Sequence, residues 1–131
     1  MIRVVYKEEL AERWHEVKPF IQRAVDHGIG ESSAHDLFME CMEEYSFCWE
    51  STDPKAFAIT RYNQFNQHSQ MQIVTCAGDG WNEYGPEALE IIEEFAKNSN
   101  CKYLSIWGRK GWERVLPEGW KHTYAVYTKE I

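Results

Sequence analysis

Few side chains in this sequence are placed to do chemistry, and they fall into three groups. Glu50 closes the apolar run Phe47 to Trp49, so a strand there would present a carboxylate able to act as a general base; the same position also suits a solvated strand end. Arg109, Lys110 and Arg114 form the dense basic group of an acidic chain, flanking Trp112 close to Trp107. On a short helix beginning at Lys110, Arg114 lies one turn on, and its guanidinium could hold a carboxylate in a two-point fork. That cluster either meets an anionic partner or pairs internally with Glu113, Glu118 or a neighbouring acidic helix. Trp81, between Gly80 and Asn82, is either the anchor of a contact surface or a plug beneath a turn.

Other chemistries have little to work with. His68 and His122 stand alone, no histidine pair has metal-ligand spacing, and no serine or cysteine sits in a G-x-S-x-G nucleophile pattern, so no metal site is expected. Cys41, Cys48, Cys76 and Cys101 are widely spaced within or beside apolar segments and read as reduced core thiols. Twenty-one acidic against fourteen basic residues give a net charge of -7, which repels nucleic acid at long range. No apolar run reaches the roughly 20 residues that span a bilayer, and the start of the chain lacks a signal-peptide core.

The elements that must position these groups follow from periodicity. Ile2 to Tyr6 is β-prone; Leu10, Trp14, Val17, Ile21 and Val25 mark an amphipathic helix, kinked at Pro19 and ended by Gly28 and Gly30. Ser33 and Asp36 form a capping box for a second helix with Leu37, Phe38, Cys41, Met42 and Tyr45 inward. The period then changes to two, giving strands at Phe47 to Glu50, Lys55 to Tyr62 and Gln70 to Cys76, with a polar loop from Asn63 to Ser69. Pro86 suits the first turn of a helix reaching Asn98, followed by a strand over Cys101 to Trp107, a short helix over Gly111 to Leu116, and a last strand from Trp120 to Lys129. This order predicts one α+β domain over residues 1–131, in three layers: a single mixed, mostly antiparallel sheet of about six strands packed by about four helices.

That order, with the run Gly108-Arg-Lys-Gly-Trp-Glu-Arg-Val-Leu-Pro117 and the later Gly119-Trp120, resembles the GNAT superfamily of acyl-CoA-dependent N-acetyltransferases. Within it the chain is most similar to small GNAT-like proteins of tailed bacteriophages, including the N-acetyltransferase-like internal virion proteins of short-tailed phages. The resemblance implies a Gln/Arg-x-x-Gly-x-Gly/Ala turn whose backbone N–H groups hold the pyrophosphate of coenzyme A at a helix start. The register taken here is Asn82-Glu-Tyr-Gly85-Pro-Glu87, with Gly80, Asn82 and Gly85 as cofactor-binding candidates, and it alters two of three key positions. Asp79, Glu83, Glu87 and Glu90 add negative charge. The family's tyrosine proton donor falls on Val115, which cannot donate.

Two functions are therefore expected. One is a non-catalytic binding or assembly component, located in the host cytoplasm or virion and using Trp81, Arg109, Lys110, Trp112 and Arg114 against protein partners of the phage particle or of the host. The other is an N-acetyltransferase using acetyl-CoA in a divergent cradle, with Glu50 as base.

Overall fold

In the computed structural model, residues 2–79, 81–108 and 110–131 are described, without the side chains of 81–84 and 110. The order is β1 (Ile2–Val5), α1 (Lys7–Val25), α2 (Ala34–Met42), β2 (Ser46–Thr52), β3 (Lys55–Gln64), β4 (Ser69–Gly78), α3 (Trp81–Asn98), β5 (Tyr103–Ile106) and a 3-10 turn at Lys110–Arg114. The five strands lie in one sheet in chain order. β1 to β4 are antiparallel neighbours, whereas β5 runs parallel to β4 because α3 carries the chain back across one face.

Each face of the sheet has its own core. Leu10, Val17 and Ile21 of α1 and Leu37 and Cys41 of α2 pack on Val5, Cys48, Phe57 and Ile59. On the other face Leu89 and Ile92 of α3 meet Ile2, Trp49, Ala58 and Ile73. Strand alternation produces this division, since Cys48 and Trp49 point to opposite sides. The Ser33–Asp36 capping box forms as expected: Ser33 Oγ accepts from the Asp36 N–H, and Asp36 accepts from the Ser33 N–H.

Three expectations are corrected. α3 begins five residues before Pro86, which lies inside the helix. A proline ring in a helix crowds the Cβ of the residue before it, and Gly85 has none, so the helix passes through the pair. Residues 120–129 form no strand: Tyr124 is 85% and Tyr127 92% exposed. Strand propensity is realised only through backbone pairing, and this segment makes none among the described residues. The expected short helix is a 3-10 turn, so the described elements number five strands and three α-helices.

An ion-pair network ties β1, α1 and β2 together. Glu50 is only 4% exposed and faces the α1 side; it accepts from Arg3 Nη2 at 3.0 Å and from Arg13 Nη1 at 3.0 Å, while Arg13 Nη2 holds its second oxygen. Glu9 bridges the same two guanidinium groups, and Glu16 joins Arg13 to Lys55. Hydrogen bonds from Arg3 and then Arg13 pull the Glu9 carboxyl down to about 2, and those from Arg13 and Lys55 do the same for Glu16.

Removing Arg13 takes two of its three guanidinium bonds from the buried Glu50 carboxylate, so Arg13→Met should lower unfolding stability by about 3 kcal/mol in urea titrations. Glu9 and Glu16 have folded pKa values below the ordinary 4.5. Their contribution is thus present above pH 4.5 and lost as pH falls toward 2. Melting temperature should be level from pH 7 to 5 and drop below 4.5, with a shallower drop in Arg13→Met.

Candidate cofactor cleft

β4 is paired on both sides for only part of its length. Its contact with β5 covers Gln70↔Tyr103, Met71↔Leu104, Gln72↔Ser105 and Ile73↔Ile106, then stops. Pairing with β3 continues to Gly78. From Val74 to Gly78, therefore, alternate backbone N–H and C=O groups of β4 point into a fork left by β5.

A β-bulge sits at the branch point. β3 pairing jumps from Thr60↔Ile73 to Ile59↔Thr75, leaving Val74 as an extra residue. The side-chain phase changes across it: Ile73 and Cys76 both pack toward α3, and Val74 packs into the α1/α2 core. A bulge bends its strand and increases local twist, so β4 swings away from β5 where their pairing ends.

Gly78 ends β4 with φ +110°, and a Cβ there would lie 2.7 Å from both Ala56 Cα and Lys55 O. Glycine is required because the backbone turns in a left-handed sense against β3 before entering α3. The first turn of α3 then presents N–H groups that lack intrahelical acceptors. Across the fork, Gly108 lies so close to Trp112 that a Cβ would overlap its indole, while Leu116 and Trp120 pack into the α3 core. Trp107 is 65% exposed.

Two further groups line this region. Ser105 Oγ, on the residue before the last β5 pair, is buried with no hydrogen-bond partner. Burial pushes the Cys76 thiol up to about 12, so it stays protonated at neutral pH and is a poor nucleophile. Burial raises Cys41 and Cys48 as well, and all four cysteines are free thiols.

The structure redistributes the candidate residues. Glu50 is no solvated strand end. Both of its oxygens accept from guanidinium groups on the α1 side of the sheet. Gly85 lies buried inside α3 rather than in a phosphate turn. Trp112 is half-buried against Gly108, and Arg114 is exposed. Gly80 and Arg109, with the side chains of Trp81, Asn82 and Lys110, lie outside the described residues. Among the described residues no group of three or more His, Cys, Asp or Glu side chains could hold a metal ion, and no helix is long and apolar enough to cross a membrane.

With α3 starting at Trp81, the sequence pattern expected before that helix is matched instead by Thr75-Cys-Ala-Gly78-Asp-Gly80. This register keeps both small residues of the Gln/Arg-x-x-Gly-x-Gly/Ala pattern and replaces only its lead, by Thr75. Gly78 is the residue that sequence reasoning missed. The available signal was a Gly-x-Gly immediately after a β-prone run.

The sequence matches no protein-family profile and no curated protein at a significant level. Solved structures do match. A probable acetyltransferase superposes with TM-score 0.71 at 12% identity, covering 100% of this chain and 98% of that one. An aminoglycoside acetyltransferase from an uncultured soil metagenomic sample, in complex with sisomicin, gives 0.68 at 9% identity, covering 100% and 96%. A GNAT family acetyltransferase of Staphylococcus aureus gives 0.62 at 15% identity, covering 100% and 98%. The chain has the GNAT acetyltransferase fold.

Gly78→Ala should cost about 3 kcal/mol of stability, through backbone strain and contact with β3. Gly111→Ala, with nothing within 4 Å of an added Cβ, should change it by less than about 0.5 kcal/mol. Urea unfolding monitored by circular dichroism measures both.

Proposed function

We propose that the chain is an acetyl-CoA-dependent N-acetyltransferase whose cofactor lies in the β4/β5 fork. The observation that carries this reading is the edge of β4 from Val74 to Gly78, which pairs with no strand among the described residues and ends at the positive-φ Gly78 shortly before α3.

The residues present fit such a ligand. An extended arm carrying amides can add to the open edge of β4 as a further strand, exchanging hydrogen bonds with the backbone. Gly78 lets the backbone approach closely, and the first turn of α3 offers N–H groups and the positive end of the helix dipole to a pyrophosphate. When bound, acetyl-CoA supplies a thioester: an amine nitrogen forms the C–N bond, the C–S bond breaks, and the departing thiolate takes up the proton that nitrogen sheds.

The chain's part in that exchange is positional. Cys76 remains a thiol, which favours direct attack by the amine over an acyl-enzyme. Val115 donates no proton, so the thiolate is served by water or by the attacking amine. Backbone N–H groups along the fork are the donors available to polarise the thioester carbonyl. The acceptor is an amine; proteins of this fold include an aminoglycoside acetyltransferase and a ribosomal-protein-alanine N-acetyltransferase from Brucella melitensis.

A second reading, a binding component of a phage particle that performs no transfer, is favoured by Val115 at the proton-donor position and by the exposed Tyr124, Val126 and Tyr127. Purified particles would then contain the chain at fixed stoichiometry.

Acetyl-CoA at a hundredfold excess over Kd stabilises a binding-competent fold by about 2.7 kcal/mol, so the melting temperature should rise by on the order of 10 °C. Free thiol should accumulate when an amine is added, and Cys76→Ala should keep most of that activity. An unchanged melting temperature at millimolar acetyl-CoA would decide against the enzyme.

A further inference from the structure

β5 is an edge strand whose far side is left open. It pairs with β4 on one side and with no strand among the described residues on the other. β3, which has neighbours on both sides, buries every residue from Ala56 to Thr60, whereas none of the four residues of β5 is buried. Leu104 and Ile106 pack toward α3 and stay half-buried, because the core on that flank ends at them. β1, at the opposite edge of the sheet, differs: Ile2 and Val5 are already buried, and the charged Arg3 guards the strand.

The same chain carries an unpaired segment of matching pattern. Trp120 packs against the α3 core and anchors it, and every residue from Lys121 to Ile131 is exposed. In an extended strand Tyr124 and Val126 share a face with Trp120, spaced by two as Leu104 and Ile106 are, while Lys121 and Lys129 fall on the other face. Val126, a β-branched apolar residue, is 72% exposed.

Charge and exposure together select the occupant. In a chain with 21 acidic residues, neither 101–108 nor 119–129 contains one. Two copies at net charge -7 repel at long range, and these stretches can still approach without opposing carboxylates. A foreign strand on β5 leaves Tyr124 and Val126 in water, whereas this segment covers both open surfaces at once. Since all of its residues are exposed, the segment does not lie on its own β5, and the edge it meets belongs to another molecule.

We propose that residues 121–129 add as a further strand to the free β5 edge of a second copy, and that two copies exchange these segments reciprocally. Tyr124 and Val126 then extend the apolar face under α3 beyond Leu104 and Ile106 of the partner subunit. Reciprocal exchange uses both segments and both β5 edges, so the assembly closes at two. β5 gains a second neighbour, which fixes one wall of the fork. The pairing does not depend on the fork holding acetyl-CoA.

Sedimentation equilibrium of the full chain should give twice the 15.5 kDa of one copy. Of two adjacent N–H groups in a strand, one faces the neighbouring strand. The double variant Ala125→Pro/Val126→Pro removes both from an exposed segment, so it should raise the dimer dissociation constant by about tenfold or more and keep the helical circular dichroism signal. Val126→Ile should leave the dimer in place. In mixed dimers of isotope-labelled and unlabelled chain, nuclear Overhauser contacts should join Val126 of one copy to Leu104 or Ile106 of the other. A monomer at millimolar concentration, a dimer undiminished by the two prolines, or Val126 contacts confined to one chain overturns the proposal.

Discussion

β4 has to satisfy two neighbours that diverge. Its backbone can pair with β3 over its whole length and with β5 only until the sheet's twist carries them apart, and the extra residue at Val74 marks where the second pairing is given up. Without that bulge the side-chain alternation of β4 would continue unbroken, and Ile73 and Cys76 would fall on opposite faces instead of sharing the α3 core. The same distortion that allows both cores to pack therefore exposes five residues of strand edge. An open edge is ordinarily a hazard for aggregation. Here it is short.

The electrostatics divide along similar lines. The acidic surplus of the chain is gathered largely on the helices, and its deepest member, Glu50, is neutralised by arginines from β1 and α1. A buried ion pair contributes little net stability compared with well-packed apolar groups, but it is strict about geometry, since an unpaired partner is costly. Arg13 thus fixes how α1 lies across β2. The stretches 63–72 and 101–108, which carry the far ends of β3 and β4 and the whole of β5, contain no acidic residue.

How much of this could be seen beforehand varied with the range of the interaction responsible. The capping box at Ser33 and Asp36 and the inward stripe of Leu10, Val17 and Ile21 depend on residues within a turn or two, and both were readable. The parallel placement of β4 and β5 followed from the intervening helix. Pro86 misled because its usual place at a helix start outweighed the permissiveness of Gly85, and that shift hid the turn at Gly78. Glu50 could not be interpreted from its surroundings, because its arginine partners lie 47 and 37 residues away. The alternation of residues 120–129 describes a segment able to pair, and whether it docks on a strand is decided by packing far along the chain that no local pattern reveals.

The guanidinium clamp on Glu50 also has a mechanical consequence. β1, α1 and β2 are locked by charge and by a closed core, and β3 is stapled to α2 through Arg61 and Glu40. β5 is held by four backbone pairs to a single neighbour and by two apolar side chains against α3. The lightly tethered flank is accordingly where the sheet yields most easily, with the larger portion of the molecule serving as the fixed jaw of a vice.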